Sequence, residues 1–368
     1  MALPKRFGQF IRQVTLYSIV IFSVSANAKL CEPKKVPENA KVSKSAKKPG
    51  NAHLIHNFYL ENDLFADTDA DYTNGIRYSL AAAQTENVNE SKLPECLKWA
   101  NTTLIDLYKS IYPHQESVET QFIATFAHRM YTPRDKSPVD IIPDQRPYAG
   151  WLYIGMANHI RLGRRLDTLE LDLGIIGPAA LGREIQDKVH DLRGITKFKG
   201  WDNQLENEFG FSIIFERKQK SKNIPLYFDM EADVIGHWGA SIGNVATYLN
   251  GGIEVRIGWD LPDDFGTSAL RPGGDNSVPN GTSQGSIHFF TSIDARLVAR
   301  DIFLDGNTFK NSHSLEKKDV VADAAIGVSF DIGRFKVSFA RLFRSKEFDL
   351  QPNYHSYGSF AVSYWHKF

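Results

Sequence analysis

The sequence predicts an all-β protein, an antiparallel transmembrane β-barrel of about 12 strands with a short helix in an extracellular loop. Three observations carry this. From residue 53 onward, apolar and aromatic residues alternate with polar ones at the strand period of two, in segments separated by turn residues. Several segments run past ten residues, longer than the roughly five or six usual in soluble sheets, and an even strand number suits a single-chain outer-membrane barrel. The closing segment Ser359–Phe368 places Phe360, Val362, Tyr364, His366 and Phe368 on one face and mostly small or polar groups on the other, which fits a lipid-facing strand. After the first thirty residues no run approaches the ~18–20 apolar residues of a spanning helix, so a membrane-spanning form must be a barrel.

The N-terminus reads as an export signal. Lys5, Arg6 and Arg12 precede the apolar run Val14 to Val24, and Ala26-Asn27-Ala28 supplies a small-x-small cleavage pattern, so residues 1–28 are expected to be a signal peptide. Residues 29–50, rich in Lys, Pro, Ala, Ser and Asn, are expected to form a basic disordered linker, and 51–368 the barrel domain. Lys plus Arg balances Asp plus Glu at 43 each, so nothing in the net charge favours nucleic acid as a partner. Two cysteines, Cys31 and Cys96, permit one bridge in an oxidising compartment but define no framework.

Strands are expected near 53–65, 70–84, 117–130, 146–161, 165–176, 202–219, 223–239, 243–260, 284–303, 317–332, 333–346 and 354–368. Helical spacing of Leu93, Leu97, Ala100, Leu104 and Leu107 predicts a helical insertion over 92–112, and a second helix is expected between Pro178 and Gly194. With both termini on the periplasmic side, the connections near 66–69, 131–145, 177–201 and 240–242 share the extracellular rim, while those near 85–116 and 261–283 lie opposite.

The first hairpin concentrates oxygen side chains: Asn62, Asp63, Asp67, Asp69, Asp71, Thr73 and Asn74. Such a cluster suits a hard cation or a polarised reaction centre, although Tyr72 and Tyr78 occupy the positions where an EF-hand needs Gly and Glu. Strand parity puts Thr73 on the face of Arg77 and Asn74 on that of Ile76, with Asn62 and Asp63 on opposite sides unless a bulge re-aims one. In the outward helix, Leu181, Ile185, Val189 and Leu192 form a stripe by which the helix is expected to dock, and Gln186 and His190 lie four apart on a neighbouring face. A neutral imidazole beside a divalent ion can deprotonate a water that attacks an ester carbonyl.

Two further motifs compete. Gly239-Ala240-Ser241-Ile242-Gly243 matches G-x-S-x-G, with His237 nearby, but it joins two strand patterns and is expected to be a tight rim turn rather than a nucleophile elbow. In Asp144–Trp151, Arg146 can contact a phosphate and Tyr148 and Trp151 suit an interface belt, or Pro147 simply anchors a loop-to-strand junction.

In order along the chain, ENDLF, TDADYTNGIR, RPYAGWLY, GIIGPAALGREIQDKVH and GASIGNVATY, ahead of a Phe-terminated strand, resemble the bacterial outer-membrane lipid A 3′-O-deacylase family. The resemblance implies a 12-stranded barrel and calcium-dependent (Ca2+) removal of the 3′ acyloxyacyl chain of lipid A, at a site near the outer leaflet between the barrel wall and a loop helix. It implies His190 as base, Asp63 and Asn62 as calcium ligands, and Thr73 and Gln186 as further site residues. Thr196 stands where the family has an acidic residue, and Arg134 or Lys136 matches a basic substrate-binding position, with Arg146 a third candidate. Lipopolysaccharide and membrane lipids are then the partners, and a monomer the expected state. The competing functions are a non-enzymatic channel or binding barrel, and a Ser241-dependent phospholipase.

Overall fold

The computed structural model describes residues 53–62, 71–82, 119–266 and 285–367, together with the isolated helical positions 102 and 106. The expected signal peptide, linker and most of the 92–112 insertion lie outside the described residues, as do Cys31, Cys96, Asp63, Asp67 and Asp69.

The strands are β1 (His53–Asn62), β2 (Asp71–Ala81), β3 (Glu119–Thr132), β4 (Ala149–Leu162), β5 (Arg165–Ile176), β6 (Glu208–Lys220), a two-residue β7 (Ile224–Pro225), β8 (Glu231–Gly243), β9 (Ala246–Trp259), β10 (Ser286–Asp301), β11 (Val320–Ile332), β12 (Phe335–Arg344) and β13 (His355–Lys367). Every neighbouring pair is antiparallel; β1 pairs with β13 and β6 with β8, so twelve long strands form a closed barrel and β7 pairs only with β8. Closure removes the exposed strand edges that an open sheet could not carry into lipid. Beside the isolated helical positions 102 and 106, the described residues form the helices α1 (Gly182–Arg193) and α2 (Ile302–Asp305), and none among them is long and apolar enough to cross a membrane.

The period-two pattern decides which side chains meet lipid. On β13, Ser359, Ser363 and Trp365 are buried inward while Phe360, Val362 and Tyr364 are partly exposed and His366 is exposed on the outside. The outward positions of the other strands carry exposed Ile154, Ile213, Trp238, Leu249, Phe289 and Ile326, the apolar band of an outer-membrane barrel. The interior carries charge in compensated sets: Asp323 accepts from Arg344 at 2.7 Å and Arg296 at 2.6 Å, and Asp167 accepts from Arg217 at 2.7 Å.

Both mouths are obstructed. At the upper end α2 brings Phe303 against Tyr131 with ring centroids 4.2 Å apart, beside the stacked pair Trp151 and Tyr153 at 4.1 Å. At the lower end the segment 260–266 binds the wall through two carboxylates. Asp263 accepts from Arg161 and Lys220, both at 2.5 Å, and buried Asp264 accepts from Arg256 and Lys336.

The upper loops interlock. Lys199 N–H donates to the Lys136 carbonyl, Leu205 N–H to that of Tyr148, and His313 Nε2 to that of Gln145. Residues 133–148, 177–207 and 302–319 therefore form one rim, and the expected grouping of the first two holds. Differences are local. The strand expected from 202 begins at Glu208, after a single 3-10 turn at Trp201–Asn203. The Gly239–Gly243 motif is the end of β8, not a turn; a Cβ at Gly243 would strike the Phe211 carbonyl, so close strand approach explains that glycine.

Candidate active site on the outer wall

The site begins with a β-bulge. β2 pairs Tyr72 with Tyr131 and Asn74 with Met130, leaving Thr73 as the extra residue between them. Tyr72 turns inward to donate to Glu61 Oε2 at 2.6 Å, whereas Thr73 Oγ1 meets Thr132 Oγ1 at 2.7 Å. Thr132, Met130 and His128 alternate with the inward Tyr131, Arg129 and Ala127, so they face outward. The bulge thus sends Thr73 and Asn74 to the same outer face, where parity alone separates them. Asn62 pairs with Asn74 across β1 and β2, and Asn74, Met130 and Gly150 follow one another across β2, β3 and β4.

A helix covers this row. Gly150 has no side chain, and a Cβ there would meet Ala180 Cβ at 3.1 Å and Gly182 N at 3.2 Å. His128 Nε2 donates to the Ala180 carbonyl at 2.9 Å, fixing the segment to β3. Leu181, at φ 61°, and Gly194, at φ 65°, bound α1, and their left-handed backbone starts and stops it. Its buried residues are Gly182, Gln186 and His190, so α1 docks by its polar face. The expected docking stripe points away instead: Leu181 is 48% and Leu192 63% exposed. The reason is the surface beneath, which offers the Trp201 indole N–H and Gly150 rather than an apolar groove. Trp201, fully buried under α1, donates Nε1–H to Gln186 Oε1 at 2.7 Å.

His190 is 4% exposed and donates Nδ1–H to the Thr196 carbonyl at 2.8 Å. That bond sets the tautomer in which Nε2 carries the lone pair. Position 196 therefore holds the imidazole through its main chain, although its side chain is not acidic. Phe198 lies 5.7 Å from the His190 ring and packs with Met130, Tyr148 and Trp201. Lys136 Nζ sits 5.2 Å over the same Phe198, so a cation stands on the His190 side of the rim. The Tyr148 hydroxyl pKa is pushed up to about 12 by burial.

Several expected site residues are thus brought together and others are not. Asn62, Thr73, Gln186, His190 and Lys136 gather around the crevice between the outer wall and α1. Arg134 is on the same loop as Lys136, its N–H donating to Gln145 Oε1 at 2.7 Å. Arg146 is not at the crevice: it is buried inside, 3.5 Å from Glu347 and over the Tyr131 ring at 4.9 Å. Tyr148 and Trp151 are likewise buried rather than belted at an interface. Ser241 is buried within β8 and donates to the Ala246 carbonyl at 2.9 Å, while His237 Nε2 is engaged by Asp294 at 2.7 Å. Met130, Thr132 and Trp201 are crevice residues that sequence reasoning missed; Thr132 and Met130 share the outward parity of β3, the signal that could have found them.

Calcium favours hard oxygen donors. Asn62, Thr73 and Thr132 offer them, and Asn74 Oδ1 is buried without a hydrogen-bond partner in the same row, so the donor set fits such an ion. No group of three or more His, Cys, Asp or Glu residues is preassembled among the described residues.

A closed barrel with a lipid-facing apolar band and a helix-roofed polar crevice on its wall defines an outer-membrane β-barrel protein. The chain belongs to the outer membrane protein LpxR family, whose model matches residues 19–366, the lipid A 3′-O-deacylase family that the motifs resemble. Among solved structures, LpxR from Salmonella typhimurium matches with a TM-score of 0.65 and 18% identity, covering 85% of this chain and 99% of that one. The translocator domain of the autotransporter NalP from Neisseria meningitidis matches at a TM-score of 0.42 and 9% identity, over 86% of this chain and 89% of that one. None of the curated proteins matches this chain.

Proposed function

We propose that the protein hydrolyses the ester linking the 3′ acyloxyacyl chain to lipid A, using water activated by His190 at a crevice facing the outer leaflet. The observation that carries this reading is the His190 ring, buried against the barrel wall with Nδ1–H held by the Thr196 carbonyl. Family membership supports lipid A as the substrate and the outer membrane as the place of action.

In this reading His190 Nε2 accepts a proton as the water oxygen bonds to the ester carbonyl carbon. The tetrahedral intermediate then collapses, the bond between the acyl carbon and the 3′ oxygen breaks, and His190 returns the proton to the leaving 3′ oxygen. An acyloxy fatty acid and a 3′-hydroxyl lipid A result. Asn62 and Asp63, with the neighbouring oxygens of Thr73 and Asn74, would hold calcium, which when bound supplies electrostatic stabilisation of the oxyanion. Gln186 Nε2, buried without a hydrogen-bond partner while Oε1 is engaged by Trp201, is a further donor for developing negative charge. Lys136 and Arg134 suit the anionic lipid A backbone. All these residues come from one chain, so a monomer suffices.

The test is mass spectrometry of lipid A from cells carrying the wild-type chain or His190→Ala, repeated with purified protein in calcium or chelator. The expected loss in the variant is roughly 10²–10⁴-fold, with chelation also reducing turnover. Unchanged deacylation by the variant would exclude His190 as the base and return the Ser241 reading to consideration, and intact lipid A with the wild-type chain would return the channel reading.

A further inference from the structure

The apolar stripe of α1 is left unexplained by catalysis. At about 100° per residue the named positions fall in successive arcs around the helix, with the apolar arc between the docked one and the charged one. Gly182, Gln186 and His190 are buried on the barrel. Glu184, Lys188 and Asp191 are exposed on the second face, where Asp191 accepts from Lys197 at 2.7 Å. Leu181, Ile185, Val189 and Leu192 form the third, with Leu181 and Leu192 substantially exposed. A helix surrounded by water on its free side would place four apolar residues there at a cost of burial energy each, about 25 cal/mol per Å².

The apolar face continues an existing lipid surface. Gly150, against which Gly182 packs, lies one outward step above Leu152 on β4, and Leu152 pairs with Ile175, which pairs with Phe209. Leu152 and Ile175 are partly exposed and Phe209 is exposed on the outer wall. The base of α1 therefore stands directly over the top of the lipid-facing band.

We infer that α1 lies at the boundary of the outer leaflet, with Leu181, Ile185, Val189 and Leu192 inserted among lipid acyl chains, the charged face in water and the polar face closed on the barrel. Its partner is lipid hydrocarbon. The helix is an interfacial element of the kind whose binding scales with buried apolar area. This rests on residence in the outer membrane, not on the hydrolase reading.

Nitroxide labels placed singly by Leu181→Cys, Val189→Cys, Leu192→Cys, Glu184→Cys, Lys188→Cys and Asp191→Cys, in full-length chain with Cys31→Ser and Cys96→Ser, test it. In dioleoylphosphatidylcholine vesicles, collisions with oxygen should exceed those with an aqueous nickel chelate several-fold at the three apolar positions, and the order should reverse at the three charged ones. Nickel dominance at the apolar positions would place the stripe in water and overturn the inference. Shielding from both reagents would mean a protein cover and overturn it equally. A benzophenone side chain at Leu192, with both cysteines intact, should crosslink to lipid; crosslinking to a second copy of the chain would sink the proposal. Neither readout depends on turnover, so loss of deacylase activity and loss of lipid contact are separate results.

Discussion

The lower mouth and the outer-wall crevice both bury polar groups, and they finish the task differently. At the lower mouth the two carboxylates of segment 260–266 are each met by two cations: Asp263 by Arg161 and Lys220, Asp264 by Arg256 and Lys336. Burial alone would raise the Asp264 pKa, but Lys336 and Arg256 outweigh it and hold the group far below the usual carboxylate range. In the crevice, Asn74 Oδ1 and Gln186 Nε2 are buried without partners, although an unmade buried hydrogen bond costs about 1–3 kcal/mol. Cation-paired carboxylates tie a segment across an opening; unpaired amide atoms retain capacity for a ligand.

The sharpest separation comes from one substitution in each region. His190→Ala should remove most turnover and leave unfolding unchanged. Asp264→Ala leaves buried Lys336 without its hydrogen-bonded carboxylate, while Arg256 keeps Asp233, and should cost about 3–5 kcal/mol of stability, with turnover per folded molecule retained. Denaturation in detergent measured alongside lipid A turnover checks both; equal loss of activity in the two variants would dissolve the contrast. Trp201→Phe should act at an intermediate level, because it leaves Gln186 Oε1 buried without its donor. Hydrogen exchange at the α1 amides should quicken by roughly 5–100-fold, corresponding to about 1–3 kcal/mol.

A smaller effect concerns acid. Burial would raise the Glu347 pKa, but Arg146 and Arg344 win and lower it from 4.5 to about 2. A depressed carboxylate contributes stability that is present above its unfolded pKa and lost as pH falls towards the folded value. The stability gap between wild type and Glu347→Gln should therefore shrink between about pH 4.5 and 2, measured by thermal unfolding across that window. Ser241→Ala comes last: its Oγ serves only a strand-end hydrogen bond, so deacylation should not change.

The strands were legible because lipid outside and packed polar groups inside impose the same alternation on every segment. The α1 boundaries were legible from glycine and the 3.6-residue pattern. Which face of α1 docks was not, because reading the apolar face as the buried one assumes water on the other side. Here the partner wall presents Gly150, His128 and Trp201, and the free side faces lipid. Thr73 was misaimed by parity because a bulge depends on the strand opposite. Arg146 resembled a phosphate contact because its ion partner, Glu347, belongs to a distant loop. Asp63 lies outside the described residues, so its part in the site stays a proposal.

The closing seam joins β1 to β13, and Asn62 lies on it, paired with Asn74 on one side and Gly358 on the other. Pairings so distant in sequence form late, since loop-closure entropy must be overcome before they are rewarded. The row that carries the site ends at this seam, so Asn62 is held from both sides only once the last strand has joined the first. Completion of the barrel therefore fixes the edge of the site whose other strands are neighbours in sequence.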